Sequence, residues 1–158
     1  MVNYHDYMRS SRGQALTEMV LVTPLLVVCL FGVIEMGRLF HAWVTVQHAA
    51  RTAARVAVTG EGEEDGTRLS RIITAAQNAV AGLPGNAPII SVRSYAGVTT
   101  SGGARDNHPG APCDLVEVIV RYTYRPVVPL ISRIMPNSGQ IELQGQDRKL
   151  NEPWIPCS

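Results

Sequence analysis

Hydrophobic positions are distributed very unevenly along this chain. From residue 15 to residue 34 the only polar side chains are Thr17, Glu18 and Thr23. A helix of about 20 residues is roughly 30 Å long, which matches the hydrocarbon core of a bilayer. Beyond residue 34 the pattern changes. Met36, Leu39, Phe40, Trp43, Val46, Ala50, Ala53, Ala54 and Ala57 recur at helical spacing, with His41, Thr45, His48, Arg51, Thr52 and Arg55 mostly on the opposite side. Between Glu35 and Val58 there is no proline, and the only glycine is Gly37. The pattern predicts one long helix over residues 14–59. Its first half suits a membrane, and its second half is amphipathic and must pack on its own domain or on neighbouring helices. Pro24 lacks a backbone donor and is expected to kink or open this helix near the middle of the apolar run.

Residues 60–66, Gly-Glu-Gly-Glu-Glu-Asp-Gly, end that periodicity. They lack the alternating ligands of a calcium loop and read as a solvated turn. Thr67 is placed to cap a second helix reaching about residue 81, with Leu69, Ile72, Ile73, Ala76 and Val80 on one face. Residues 88–95 read as a strand, and residues 97–112 as an exposed loop. Residues 114–125 form the clearest strand, with Val116, Val118, Val120, Tyr122 and Tyr124 alternating against Glu117, Ile119, Arg121 and Thr123 until Pro126. Residues 127–135 are apolar and bracketed by prolines, which suits a short helix or an irregular loop packed on the sheet. Residues 140–148 alternate weakly, as an edge strand would, and residues 151–158 form a tail. The expected architecture is α+β. It comprises a leader at 1–13, a long helix at 14–59 and a small domain with a short antiparallel sheet at 60–158.

Composition narrows the function classes. Fourteen basic and thirteen acidic residues nearly balance, so there is no basic surplus of the kind that nucleic-acid binding requires. The sequence has no Gly-rich phosphate loop, G-x-S-x-G or H-E-x-x-H, and no enzyme, cofactor or metal site is expected. His41 and His48 lie two helical turns apart, too far for shared ligation, and His5 and His108 have no evident partner. Cys29 packs within the apolar run. Cys113 and Cys157 are a candidate disulfide if the domain faces an oxidising compartment, and two free thiols otherwise.

Arg9 and Arg12 precede the apolar run and favour a cytoplasmic N-terminus. The run is too long for an ordinary signal peptide, and no small-x-small cleavage site follows it. Gly13 and Glu18 then form the informative pair. Glycine lets a protease approach the backbone closely. A cut between Gly13 and Gln14 would create an amine at the membrane edge, with Glu18 as the fifth residue of the new chain. A carboxylate is costly in lipid. The amine of a neighbouring subunit would offset that cost and set an axial register between packed helices; the alternative is a Glu18 that snorkels to the membrane edge.

Residues 12–19 (Arg-Gly-Gln-Ala-Leu-Thr-Glu-Met), 21–26 (Leu-Val-Thr-Pro-Leu-Leu), 31–38 (Phe-Gly-Val-Ile-Glu-Met-Gly-Arg) and 46–55 (Val-Gln-His-Ala-Ala-Arg-Thr-Ala-Ala-Arg) together resemble the TadE-like family of tight-adherence (Tad) pili. Members of that family are minor pilins or pseudopilins. The resemblance covers about residues 12–56. It implies cleavage by a prepilin peptidase after Gly13 and a role for Glu18 in processing or assembly. It also implies a single-pass protein of the bacterial inner membrane, with its C-terminal domain in the periplasm. The implied partners are the lipid bilayer, the peptidase, other pilin or pseudopilin subunits and the Tad inner-membrane assembly machinery. Pilus assembly, and through it surface adhesion, is the implied role. Met19 and Thr17 stand where the family usually has an aromatic and an aliphatic residue. A reading from another class is an uncleaved, signal-anchored periplasmic binding or sensing module, which keeps its original N-terminus.

Overall fold

The computed structural model describes the backbone of residues 4–128, 132–133 and 139–157, and side chains from residue 14 onward. The expected segment at 127–135 therefore lies largely outside the described residues. The chain divides into two compact units, Met1–Arg38 and Leu39–Ser158.

The first element, α1, spans Tyr4–Val58 and contributes to both units. It starts ten residues earlier than the sequence pattern indicates, since the polar leader is helical as well. It also continues through Pro24. Loss of one donor there is local, and the Thr23 hydroxyl bonds back to the Met19 carbonyl at 2.7 Å. In the first unit the apolar side chains from Leu16 to Ile34 are exposed.

In the second unit, α2 (Arg68–Val80) is followed by four strands: β1 (Ile89–Tyr95), β2 (Arg105–Asp106), β3 (Leu115–Tyr124) and β4 (Ile141–Leu150). They form one antiparallel sheet in the order β2-β1-β3-β4. The architecture is α+β, and β4 occupies an edge as its weak alternation indicates. The loop over residues 97–112 is not wholly irregular. It contains β2, which is only two residues long and too short to leave a periodic signal, and which pairs with Arg93 and Ser94.

The core joins one helix face to one sheet face. Ala42, Val46, Ala49, Ala50, Ala53, Ala54 and Ala57 of α1 and Ile72, Ala76 and Val80 of α2 pack with Val92, Val116, Val118, Val120, Tyr122, Tyr124 and Leu143. This corrects the register of the amphipathic stripe. Met36, Phe40 and Trp43 are exposed, whereas Ala42 and Ala49 are buried. The small residues face inward because they let the helix backbone approach the sheet. A side chain at Gly145, which pairs with Val120, would overlap the Val46 carbonyl. Gln47 Nε2 donates to the Gln144 carbonyl at 2.9 Å across the same contact.

Backbone hydrogen bonds and a disulfide hold the tail. Asn151 N donates to the Asp114 carbonyl at 2.9 Å, Glu152 N donates to the Val58 carbonyl at the end of α1 at 3.0 Å, and Cys113 and Cys157 are disulfide-bonded with their Cα atoms 6.0 Å apart.

Candidate functional site

The segment containing Gly13, Gln14 and Glu18 is helical. Glu18 lies four residues after Gln14, about one turn or 6 Å along the axis. Within a single copy, Gln14 Nε2 donates to Glu18 Oε1 at 3.2 Å, and the Thr17 hydroxyl donates to the Gln14 carbonyl at 2.8 Å. Gln14, Thr17 and Glu18 are exposed, as are Leu16, Met19 and Val20 around them. Among the described residues, the carboxylate stands on an apolar surface and its donor is the uncharged amide of Gln14. Because the Gly13–Gln14 bond lies inside a helix, a protease can reach it only after the first turns open.

The described portion of α1, residues 14–58, contains a stretch long and apolar enough to cross a membrane. A TadE-like protein family model matches residues 13–55. Residues 13–55 are TadE-like. No curated protein and no solved structure matches the chain. The TadE-like segment thus covers the exposed apolar run, the Gln14–Glu18 pair and most of the alanine face that packs on the sheet.

Beyond the TadE-like segment, three clusters of polar side chains stand out among the described residues. Arg68, at the start of α2, is 2% exposed. It donates to the Ala57 carbonyl from Nε at 3.2 Å and from Nη2 at 2.7 Å, to the Gly110 carbonyl at 2.6 Å and to the Pro109 carbonyl at 3.3 Å, and it pairs with Glu63 at 2.9 Å. Arginine presents five donors in a fixed fork, and here they tie the last turn of α1 to two loops. Nothing in the sequence pattern singled this residue out. The available signal was a guanidinium directly after an acidic turn that needs neutralising.

The acidic turn at residues 60–66 is largely balanced. Arg71 pairs with Glu61 and lies 3.8 Å from Asp65, and Arg68 takes Glu63. Thr67 occupies the N-cap position of α2 but makes no capping bond with its side chain. Its hydroxyl donates to Asp65 at 2.6 Å instead, which corrects the expected cap. Bonds from the Thr67 hydroxyl and amide hold the Asp65 carboxyl below its ordinary range.

Glu117 and Asp114 anchor the second and third clusters. Glu117 accepts from Tyr95, Gln146 and Arg148. Burial raises its pKa, but those bonds, led by that from Arg148, outweigh the burial and lower it. Asp114 is likewise pushed up by burial and pulled further down, by the Gly97 and Ala111 amides and by Arg105. The Tyr95 hydroxyl is held above its ordinary value, chiefly by its bond to Glu117. The Ser94 hydroxyl lies 3.3 Å from His108 Nδ1, which the Gly110 amide approaches at 3.0 Å, so His108, without an evident partner in the sequence, has two in the folded domain. Among the described residues no three His, Cys, Asp or Glu side chains are grouped to hold a metal.

Proposed function

We propose that this chain is a non-enzymatic pilin-like subunit of a tight-adherence pilus, anchored in the inner membrane by the first half of α1 with its sheet domain in the periplasm. A prepilin peptidase cuts between Gly13 and Gln14. The freed amine of one copy then meets Glu18 of the next as the apolar helices pack side by side. Assembly into, or priming of, the pilus serves adhesion to surfaces. One observation carries the reading: a carboxylate five residues after Gly13, about one turn into an exposed apolar run, in the segment that the family model matches. Buried in lipid, that carboxylate requires a partner, and the amide of Gln14 is a weak one. The disulfide supports a domain exposed to an oxidising compartment.

Co-expression with a prepilin peptidase tests the first step. Sequencing of the recovered protein should begin at Gln14, and Gly13→Val should retain Met1. A Met1 start with active peptidase present favours the uncleaved anchored module. Glu18→Gln tests the second step. The subunit should still be made and inserted, while incorporation into assemblies falls at least about tenfold. Normal assembly of Glu18→Gln would remove the charge-pairing mechanism.

A further inference from the structure

Between α1 and β4 lies an open groove of about 350 Å³, lined by His48, Arg51, Thr52, Arg55, Asp147 and Lys149. Lys149 and Asp147 approach each other at 3.8 Å. Arg51 and Arg55 are exposed, one turn apart on the same helix face, and among the described residues neither has a carboxylate within ion-pairing distance. Like charges at this spacing destabilise a helix slightly. A carboxylate brought in from outside relieves that repulsion. The same molecule carries the complement. In the turn at residues 60–66, Glu61, Glu63 and Asp65 are engaged by Arg68 and Arg71, while exposed Glu64 has no cation within ion-pairing distance among the described residues.

We propose that the α1–β4 groove receives the acidic turn of a second copy of this chain, with Glu64 entering between Arg51 and Arg55. The contact rests on the side-by-side packing proposed above, in which pairing of Glu18 with the amine of Gln14 displaces one membrane-spanning segment by four residues, about 6 Å, against the next. Opposite charge then matches the groove of one copy to the turn of its neighbour. The groove and the turn are different surfaces, so the contact is heterologous and repeats from copy to copy.

Full-length chains carrying Cys29→Ser, with different tags, test this in bilayers after processing. One chain carries Thr52→Cys in the groove and the other Glu61→Cys in the turn, which leave Arg51, Arg55 and Glu64 in place. A reference pair carries Leu16→Cys and Val20→Cys, which the four-residue stagger sets level. Under mild oxidation both pairs should form disulfides between differently tagged chains. The bond between positions 52 and 61 should fall at least about fivefold from about 50 mM to about 500 mM salt, because exposed charges are screened over that range. Adding Glu64→Gln or Arg51→Glu should produce a similar fall and Arg51→Lys should not, while the 16–20 bond stays unchanged throughout. A 16–20 bond without a 52–61 bond overturns the groove assignment and leaves the membrane packing standing, and absence of both overturns both. A 52–61 bond indifferent to salt, to Glu64→Gln and to Arg51→Glu also overturns the proposal. So does loss of co-sedimentation with anionic vesicles in Arg51→Glu with no 52–61 bond, which assigns the groove to a lipid headgroup.

Discussion

The guanidinium carbon of Arg68 lies 4.4 Å from the centre of the Trp154 ring. The tail thus closes over a buried cation whose donors are already committed to the carbonyls of residues 57, 109 and 110. A cation over an indole face in a desolvated setting contributes about 2 kcal/mol. Gly60, at φ +70°, lies beneath the same ring, and a Cβ there would come within 2.5 Å of it.

Removing the cation should be severe. Arg68→Ala leaves buried carbonyls without donors and is expected to destabilise the domain by about 3 kcal/mol or more. Arg68→Lys should recover little, because an ammonium lacks the planar fork. Urea unfolding of the full chain in detergent, followed by Trp fluorescence, checks both variants. A change under about 1 kcal/mol for Arg68→Ala would show that the network is dispensable.

Close approach of helix and sheet makes a second prediction. Gly145→Val forces a side chain into the Val46 carbonyl and should cost about 2–4 kcal/mol. Gln144→Val, one residue away and exposed, should cost less than about 0.5 kcal/mol. Paired thermal melts measure the difference.

The Cys113–Cys157 bond closes a span with a sequence separation of 44. On the chain-entropy account such a loop stabilises by about 4 kcal/mol. Replacing both cysteines with Ser should lower the urea midpoint accordingly. Reductant should shift the wild type in the same direction and leave the double variant unmoved.

Acid should weaken the domain through Glu117 and Asp114. Both carboxyls titrate below their ordinary values when folded, so both contribute stability above those values and lose it as pH falls toward their folded pKa. Unfolding free energy should be flat near neutrality and should drop below about pH 4.5, the ordinary value for Glu117. Glu117→Gln should be destabilised at pH 7 and show a shallower acid slope. Equal slopes for the variant and wild type would assign the acid loss elsewhere.

The long helix, the three longer strands and the weak alternation that marks β4 as an edge were legible because each leaves a periodic trace many residues long. The facing of the amphipathic stripe was not. Large residues such as Phe40 and Trp43 dominate a hydrophobic count, yet close helix–sheet packing selects Ala42, Ala49 and Ala53. Glu117 occupies the outward phase of β3 but is 2% exposed, because Tyr95, Gln146 and Arg148 lie over it. Cover by long side chains from neighbouring strands leaves no mark on the pattern of a single strand. Gly13, Gln14 and Glu18 stood out because their spacing is local. Arg68 did not, because its partners at residues 57, 109, 110 and 154 come together only in the folded domain.

The separation of the Arg51–Arg55 groove from the turn that carries Glu64 has a consequence for any row of copies. Each member spends its cationic side on one neighbour and its anionic side on the other, so the row has a direction. Its two extremities differ chemically: one displays a vacant basic cleft and the other an unsatisfied acid. Machinery that adds members, or a factor that terminates the row, can tell one extremity from the other by charge alone.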